Sequence, residues 1–144
     1  MTVSTVMTNC PACCTPNSAL TEVARLMVEN DCGEIPVVED LDSRKLAGVI
    51  TDRDIATRIV AAGRNSAEAR ALDAMTSPAV SVHSDTSLKE CCELMESHQI
   101  RRVPVVDDSG AVVGIVSLAD VVRSANTATT VAVVKEVSSG VERG

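Results

Sequence analysis

Gly48-Val49-Ile50-Thr51-Asp52-Arg53-Asp54 is answered, 66 residues further on, by Gly114-Ile115-Val116-Ser117-Leu118-Ala119-Asp120. Each stretch runs from a glycine through branched apolar residues to a hydroxyl, and then to a carboxylate three positions on. Working outward, the correspondence continues at an offset of 68. Met7-Thr8 matches Met75-Thr76, Leu20 matches Leu88, Leu26-Met27 matches Leu94-Met95, and Pro36-Val37-Val38 matches Pro104-Val105-Val106. The offset changes because the first copy has two extra residues in its Asp40 to Leu46 loop. The chain therefore holds two copies of one unit. Each is about 60 residues, a size that buries too little surface to be comfortable alone, so a shared core is expected.

Both copies read alike. Apolar residues fall at i, i+3, i+4 and i+7 in Leu20, Val23, Ala24, Met27 and in Leu88, Cys91, Cys92, Met95, the spacing of an amphipathic helix. Ser87 and Glu90 are spaced as a capping box. β-rich runs follow at Ile35 to Val38 and Val103 to Val106, then at Leu46 to Ile50 and Val112 to Val116. A second helix is expected from near Asp52 and from near Leu118. The order per copy is a short strand, helix, strand, strand, helix, an α/β unit. The expected division is 1–63 for the first repeat, 64–73 for a linker, 74–126 for the second repeat and 127–144 for a C-terminal segment. Val131, Val133, Val134 and Val137 suggest a short element there, and Ser138-Ser139-Gly140 a frayed tail.

Composition excludes several functions. With 13 Lys and Arg against 20 Asp and Glu, the net charge is −7, which disfavours a duplex-binding role that needs a basic face. Phe, Tyr and Trp are absent, so no aromatic platform exists for stacking single-stranded bases. Nucleic acid is thus not the expected partner, and a bound purine must sit between aliphatic side chains. The longest apolar runs are too short to span a membrane. The N-terminus lacks the pattern of a secretory signal, so a cytoplasmic protein with its six cysteines as free thiols is expected.

At this point the residues resemble a known family. The two seven-residue stretches look like the G-h-h-[ST]-x-x-[DN] signature of the CBS domain, which occurs in tandem pairs called Bateman modules. Arg101-Arg102-Val103-Pro104-Val105-Val106-Asp107 and the Met-Thr that opens each copy are typical as well. The resemblance covers roughly residues 3–125, and a stand-alone pair without a catalytic domain is expected. It implies two β-α-β-β-α repeats packed sheet to sheet about a pseudo-twofold axis, with two clefts between them. It implies an adenine nucleotide (AMP, ADP, ATP or NAD) or S-adenosylmethionine as regulatory ligand, with no cofactor required. It also implies a homodimer and an effector protein that this sequence does not name.

Thr51 and Asp54, like Ser117 and Asp120, sit where a strand becomes a helix. The spacing is that of a capping box. The same place offers free backbone N–H groups suited to phosphate, and a carboxylate can accept from both ribose hydroxyls. In the family, each cleft joins the signature of one copy to the opening strand and pre-proline residues of the other. Carried over, the first cleft uses Val49, Thr51, Asp54, Met75, Val80, Ile100 and Arg101. The second uses Ile115, Ser117, Asp120, Met7, Ala12, Cys32 and Gly33. Arg53, Arg101 and Arg102 make the first more basic, while the second has Gly33-Glu34, so a phosphorylated ligand is expected in the first.

Two other readings stay open. Cys10, Cys13 and Cys14 have the spacing of a thiol or metal site. However, no histidine lies nearby in sequence, and neighbouring residues of a strand face opposite ways. A structural dimer with empty clefts is the other reading. Cys91 and Cys92 read as packing residues. His83 and His98 form no nucleophile–base pair by spacing, so no enzyme and no metal site is expected.

Overall fold

The computed structural model describes residues 1–124. The expectations for 127–144 lie outside the described residues. A 3-10 turn at Val3–Thr5 leads to β1 (Thr8–Asn9), α1 (Leu20–Glu29), β2 (Glu34–Val38) and β3 (Leu46–Thr51). Next come α2 (Asp52–Ile55), a π-helical turn at Ala56–Val60 and α3 (Ala71–Ala74). The second copy supplies β4 (Val82–His83), α4 (Leu88–His98), β5 (Arg102–Val106) and β6 (Val112–Ser117), followed by α5 over 118–124.

Each helix buries one stripe. In α1 these residues are Leu20, Val23 and Met27. Ala24, expected on that stripe, is exposed, and Leu26 packs on the core in its place. The buried face is rotated toward the larger side chain, which removes more apolar area from water. In α4, Cys91 and Met95 are buried. The Ser87 hydroxyl accepts from the Glu90 N–H at 3.1 Å, and the Glu90 carboxylate accepts from the Ser87 N–H. This cap is worth about 1 kcal/mol. The chain leaves both helices through the left-handed region, at Asp31 (φ 49°) and at its counterpart Gln99 (φ 54°).

The copies exchange their opening segments. β1 pairs antiparallel with β6, Thr8 opposite Ile115, so the start of the first copy completes the second copy's sheet in the order β1-β6-β5-β4. The corresponding Thr76 bridges to Val49 of β3 through reciprocal backbone hydrogen bonds of 3.0 and 2.8 Å. Gly48 and Gly114 admit these crossings. A Cβ on Gly48 would stand 2.5 Å from the Thr76 carbonyl oxygen, and one on Gly114 would strike the Met7 side chain. After crossing, Cys14 and Val82 return to bridge in parallel with Val37 and Val105 of their own copies.

Lys45 pairs with Ala111, its own counterpart, and marks the pseudo-twofold axis. On either side the Leu46 N–H donates to Gly110 O (3.1 Å) and the Val112 N–H to Arg44 O (2.8 Å). The Arg44 guanidinium also donates to Pro11 O and Val112 O.

Two apolar clusters result. One holds Leu20, Val23, Ile35, Val37, Ile50 and Ile59 of the first copy, with Ala69, Ala71 and Ala74. The segment 64–73, read from sequence as a linker, thus has its second half built into that core. The other cluster takes Val3 from the first copy's start into the core of the second, beside Val82, Met95, Val103 and Val116.

Candidate ligand-binding site

Exchange of the opening segments creates a cavity of about 360 Å³ between the copies, within the range of small-molecule sites. The first copy lines it with Thr8, Pro11 and Ala12 from the opening segment and with Asn30, Asp31, Cys32, Glu34 and Ile35 around the start of β2. The second copy adds Arg102, Ile115, Ser117, Ala119, Asp120 and Arg123. Ala12, Cys32, Ile35 and Ile115 offer aliphatic and thiol surface to an apolar ring.

The polar end is built at the turn from β6 into α5. The Ser117 hydroxyl accepts from the Asp120 N–H at 3.1 Å. The Asp120 side chain is 26% exposed, and one of its oxygens accepts from Arg123 at 3.1 Å. An ionised carboxylate has about four lone-pair sites, so capacity remains for a diol.

A wider groove of about 850 Å³ runs across the pseudo-axis. Gly33 and Glu34 line it together with their counterparts Arg101 and Arg102, and Thr51, Asp52 and Arg53 together with theirs, Ser117, Leu118 and Ala119. Ile100 and Val122 complete it. Glu34, Arg102, Ser117 and Ala119 line both spaces, so cavity and groove meet there.

The residues expected at the second cleft divide. Ala12, Cys32, Ile115, Ser117 and Asp120 surround the cavity, whereas Gly33 opens on the groove. Met7 packs on the second core and under Gly114. Of the first set, Thr51, Arg53, Ile100, Arg101 and Arg102 open on the groove. Asp54 is engaged locally: its Oδ2 accepts from the Thr51 N–H at 3.0 Å, while its own N–H donates to the Thr51 hydroxyl at 3.0 Å. Its other oxygen lies 3.9 Å from Arg58 Nε. Val49 is paired with Thr76, Met75 packs on the first core and Val80 on the second.

The basic residues also divide differently from the sequence expectation. Arg102 lines the Asp120 cavity as well as the groove, so the Asp120 side is not the cation-poor one. Sequence reasoning passed over Asn30, Asp31, Glu34 and Arg123 as site residues. The signal for Glu34 was present, since it is the repeat counterpart of Arg102.

Glu34 is the unusual group. Its Oε2 is buried with no hydrogen-bond partner among the described residues. Burial pushes its carboxyl up to about 7, with Arg102 opposing the rise and Asp54 adding to it. Desolvation is the largest cause, as expected when a charge leaves water unpaired.

The thiols offer little. Cys10 is exposed, and Cys13 donates to Pro11 O. Burial pushes Cys14 up to about 12, the neighbouring Cys13 adding to the rise. Cys14 therefore stays protonated at neutral pH, whereas the thiolate is the reactive and ligating form. Among the described residues, no group of three or more His, Cys, Asp or Glu side chains could hold a metal ion. None of the described helices is long and apolar enough to cross a membrane.

Comparison with known proteins adds independent information. A family model described as CBS domain matches residues 3–61 and again 69–126. The chain is 42% identical over 118 residues to the CBS domain-containing protein YhcV of Bacillus subtilis, covering 82% of this chain and 81% of that protein. It is 35% identical over 108 residues to a protein of Methanopyrus kandleri, 75% of this chain but only 54% of that longer one. Hypoxic Response Protein I, solved with two coordinated zinc ions, superposes with a TM-score of 0.77 at 36% identity, over 85% of this chain and 98% of that one. CBSX2 in complex with AMP gives a TM-score of 0.73 at 26% identity, over 89% and 98% of the two chains. The CBS domain pair of protein MJ0100, in complex with 5′-methylthioadenosine and S-adenosyl-L-methionine, gives 0.77 at 28%, over 88% and 97%.

Proposed function

The chain belongs to the CBS domain family, and from that premise we propose that it is a non-catalytic regulatory module taking an adenine nucleotide or adenosyl ligand between its two repeats. The observation that carries this reading is the cavity whose apolar walls come from both copies, Ala12, Cys32 and Ile35 facing Ile115, and whose polar end is Ser117 and Asp120 of the second. Ligand bound there touches both copies at once. It therefore stabilises one arrangement of the pair, which an effector protein can read. The adenine ring lies among Ala12, Cys32, Ile35 and Ile115, and Asp120 accepts from the ribose hydroxyls. The Asp120 cavity is the better site, since the Asp54 carboxylate already caps its own helix. Complexes of AMP and of S-adenosyl-L-methionine with structural relatives support the ligand class.

Homodimerisation belongs to the same reading. Val28, Val60 and Leu72 are exposed by 81%, 65% and 60%, and a second copy would cover such side chains. Sedimentation velocity at micromolar concentration tests it.

The ligand test is cheap because the protein has no aromatic residue. Acid precipitation of purified protein, followed by an ultraviolet spectrum and mass of the supernatant, identifies any purine carried through purification. A melting panel with AMP, ATP, NAD and S-adenosylmethionine follows. Ligand at ~100-fold over its Kd adds about 2.7 kcal/mol of stability. Asp120→Ala should lower the affinity about tenfold or more, the worth of a charge-assisted hydrogen bond, and Asp54→Ala far less. No shift with any member of the panel would overturn the proposal.

A further inference from the structure

Glu34 opens β2 at the neck where the cavity meets the groove, and it lines both. A ligand that extends from the cavity toward the groove cations Arg53 and Arg101 crosses the rim that Glu34 shares with Arg102, Ser117 and Ala119. Its Oε2 is buried and lacks a partner among the described residues, so either state of the carboxyl is answered by what the ligand brings. From β5, Arg102 is the cation that acts on it. From α2, Asp54 opposes ionisation and Asp52 lines the adjoining groove. On the cavity side stand Asp31, and from α5 Asp120 with Arg123. The Cys32 thiol donates to the Glu34 backbone carbonyl and leaves the carboxylate untouched.

We propose, resting on the ligand reading above, that Glu34 selects ligands by charge at this neck: a phosphate-bearing adenine ligand binds with uptake of a proton by Glu34, whereas a phosphate-free adenosyl ligand binds without it. An ionised carboxylate repels the passing phosphate. A protonated one donates a hydrogen bond to it, of the short O–H···O⁻ kind. The site thus favours phosphate at low pH and the uncharged nucleoside end of the ligand class at high pH. With the carboxyl titrating at about 7, the binding-competent fraction for phosphate changes about tenfold between pH 6 and pH 8, and the apparent Kd with it.

The experiment is isothermal titration of the full chain with AMP and with adenosine at pH 6, 7 and 8, comparing wild type and Glu34→Gln. The phosphate of AMP titrates in the same range, but it does so equally for both proteins. The expected result is a Kd for AMP that weakens about tenfold more in wild type than in Glu34→Gln, with adenosine unchanged. Repeating the AMP titration in buffers of different ionisation enthalpy should show proton uptake in wild type that the variant lacks. Glu34→Ala, checked by circular dichroism, serves as the second variant. Matching AMP profiles in wild type and both variants would overturn the inference alone, as would adenosine binding without AMP at pH 6. If neither compound binds, this inference fails, and the proposed function fails with it only where ATP, NAD and S-adenosylmethionine also give no shift in the melting panel.

Discussion

Adding one methyl group at Gly48 tests whether the exchange of opening segments holds the two repeats together. A Cβ there would stand 2.5 Å from the Thr76 carbonyl oxygen and 3.0 Å from Met75 Cε. The side-chain end can swing away, but the carbonyl cannot. To reach ordinary contact at 3.4 Å, the Thr76 backbone must retreat by about 1 Å. That segment is fixed by its hydrogen bonds of 3.0 and 2.8 Å to Val49. Weakening both costs about 1–3 kcal/mol, and alanine's lower unfolded-state entropy returns about 0.5–1 kcal/mol. The net expectation for Gly48→Ala is a loss of about 1–2 kcal/mol, which lowers the Tm by about 3–7 °C in a chain of this size. Gly114→Ala is the internal control, because its nearest obstacle is the flexible Met7 side chain. It should cost less, and Met7→Ala should couple to it favourably in a double-mutant cycle. Met75→Ala should give Gly48→Ala no such relief. Scanning calorimetry of wild type, the four single variants and the two double variants decides it. A Gly48→Ala melt within 2 °C of wild type, or its restoration by Met75→Ala, would refute the steric account.

Stability should respond to Glu34 as well. The folded-state value of about 7 lies above the ordinary 4.5, so the native state binds more protons between those pH values. Stability is unaffected below pH 4.5 and falls as pH rises to 7. At about 1.4 kcal/mol per pH unit, wild type loses about 3 kcal/mol across that window relative to Glu34→Gln. Urea titrations of both proteins at pH 4.5 and 8 measure the difference, and a pH-independent gap would contradict a buried, unpaired carboxylate. Arg44→Ala removes the guanidinium that bonds Pro11 O and Val112 O at 3.0 and 3.3 Å. It should cost about 1–2 kcal/mol, and a denaturation midpoint equal to that of wild type would show those contacts to be idle. In the native protein at pH 8, a disulfide reagent should modify exposed Cys10 first and Cys14 only on unfolding, as burial dictates. Mass mapping of early products reads the order.

The repeat was legible because it is written in residues whose roles admit few substitutes. Gly48 and Gly114 are the points where the crossing segment leaves no room for a side chain, by the Thr76 backbone at the first and the Met7 side chain at the second. Ser87 with Glu90, and Thr51 with Asp54, are caps whose spacing is set by helix geometry. The crossing itself was not legible. β1 has two residues, both exposed, and carries no alternation that could name its partner strand. Helix rotation was also beyond the pattern, since Ala24 and Leu26 flank the same buried seam and only the approaching sheet chooses between them. At the site, residue type located Ser117, Asp120, Cys32 and Ala12 near the cavity. It could not foresee that Met7 and Met75 spend their side chains against the glycines, or that Glu34 and Arg102 would line the same two spaces.

The position shared by Glu34 and Arg102 also bears on symmetry. Two identical subunits related by a true twofold axis must place the same residue on both sides of it. A carboxylate there would meet a second carboxylate, and a guanidinium a second guanidinium. Joining both copies in one polypeptide lifts that constraint, because each half can then mutate without its twin. A carboxylate on one side with a cation on the other is open to a fused pair and closed to any symmetric homodimer of a single repeat. The unequal residues Glu34 and Arg102 therefore give the pair a polarity that no symmetric assembly of one repeat could carry.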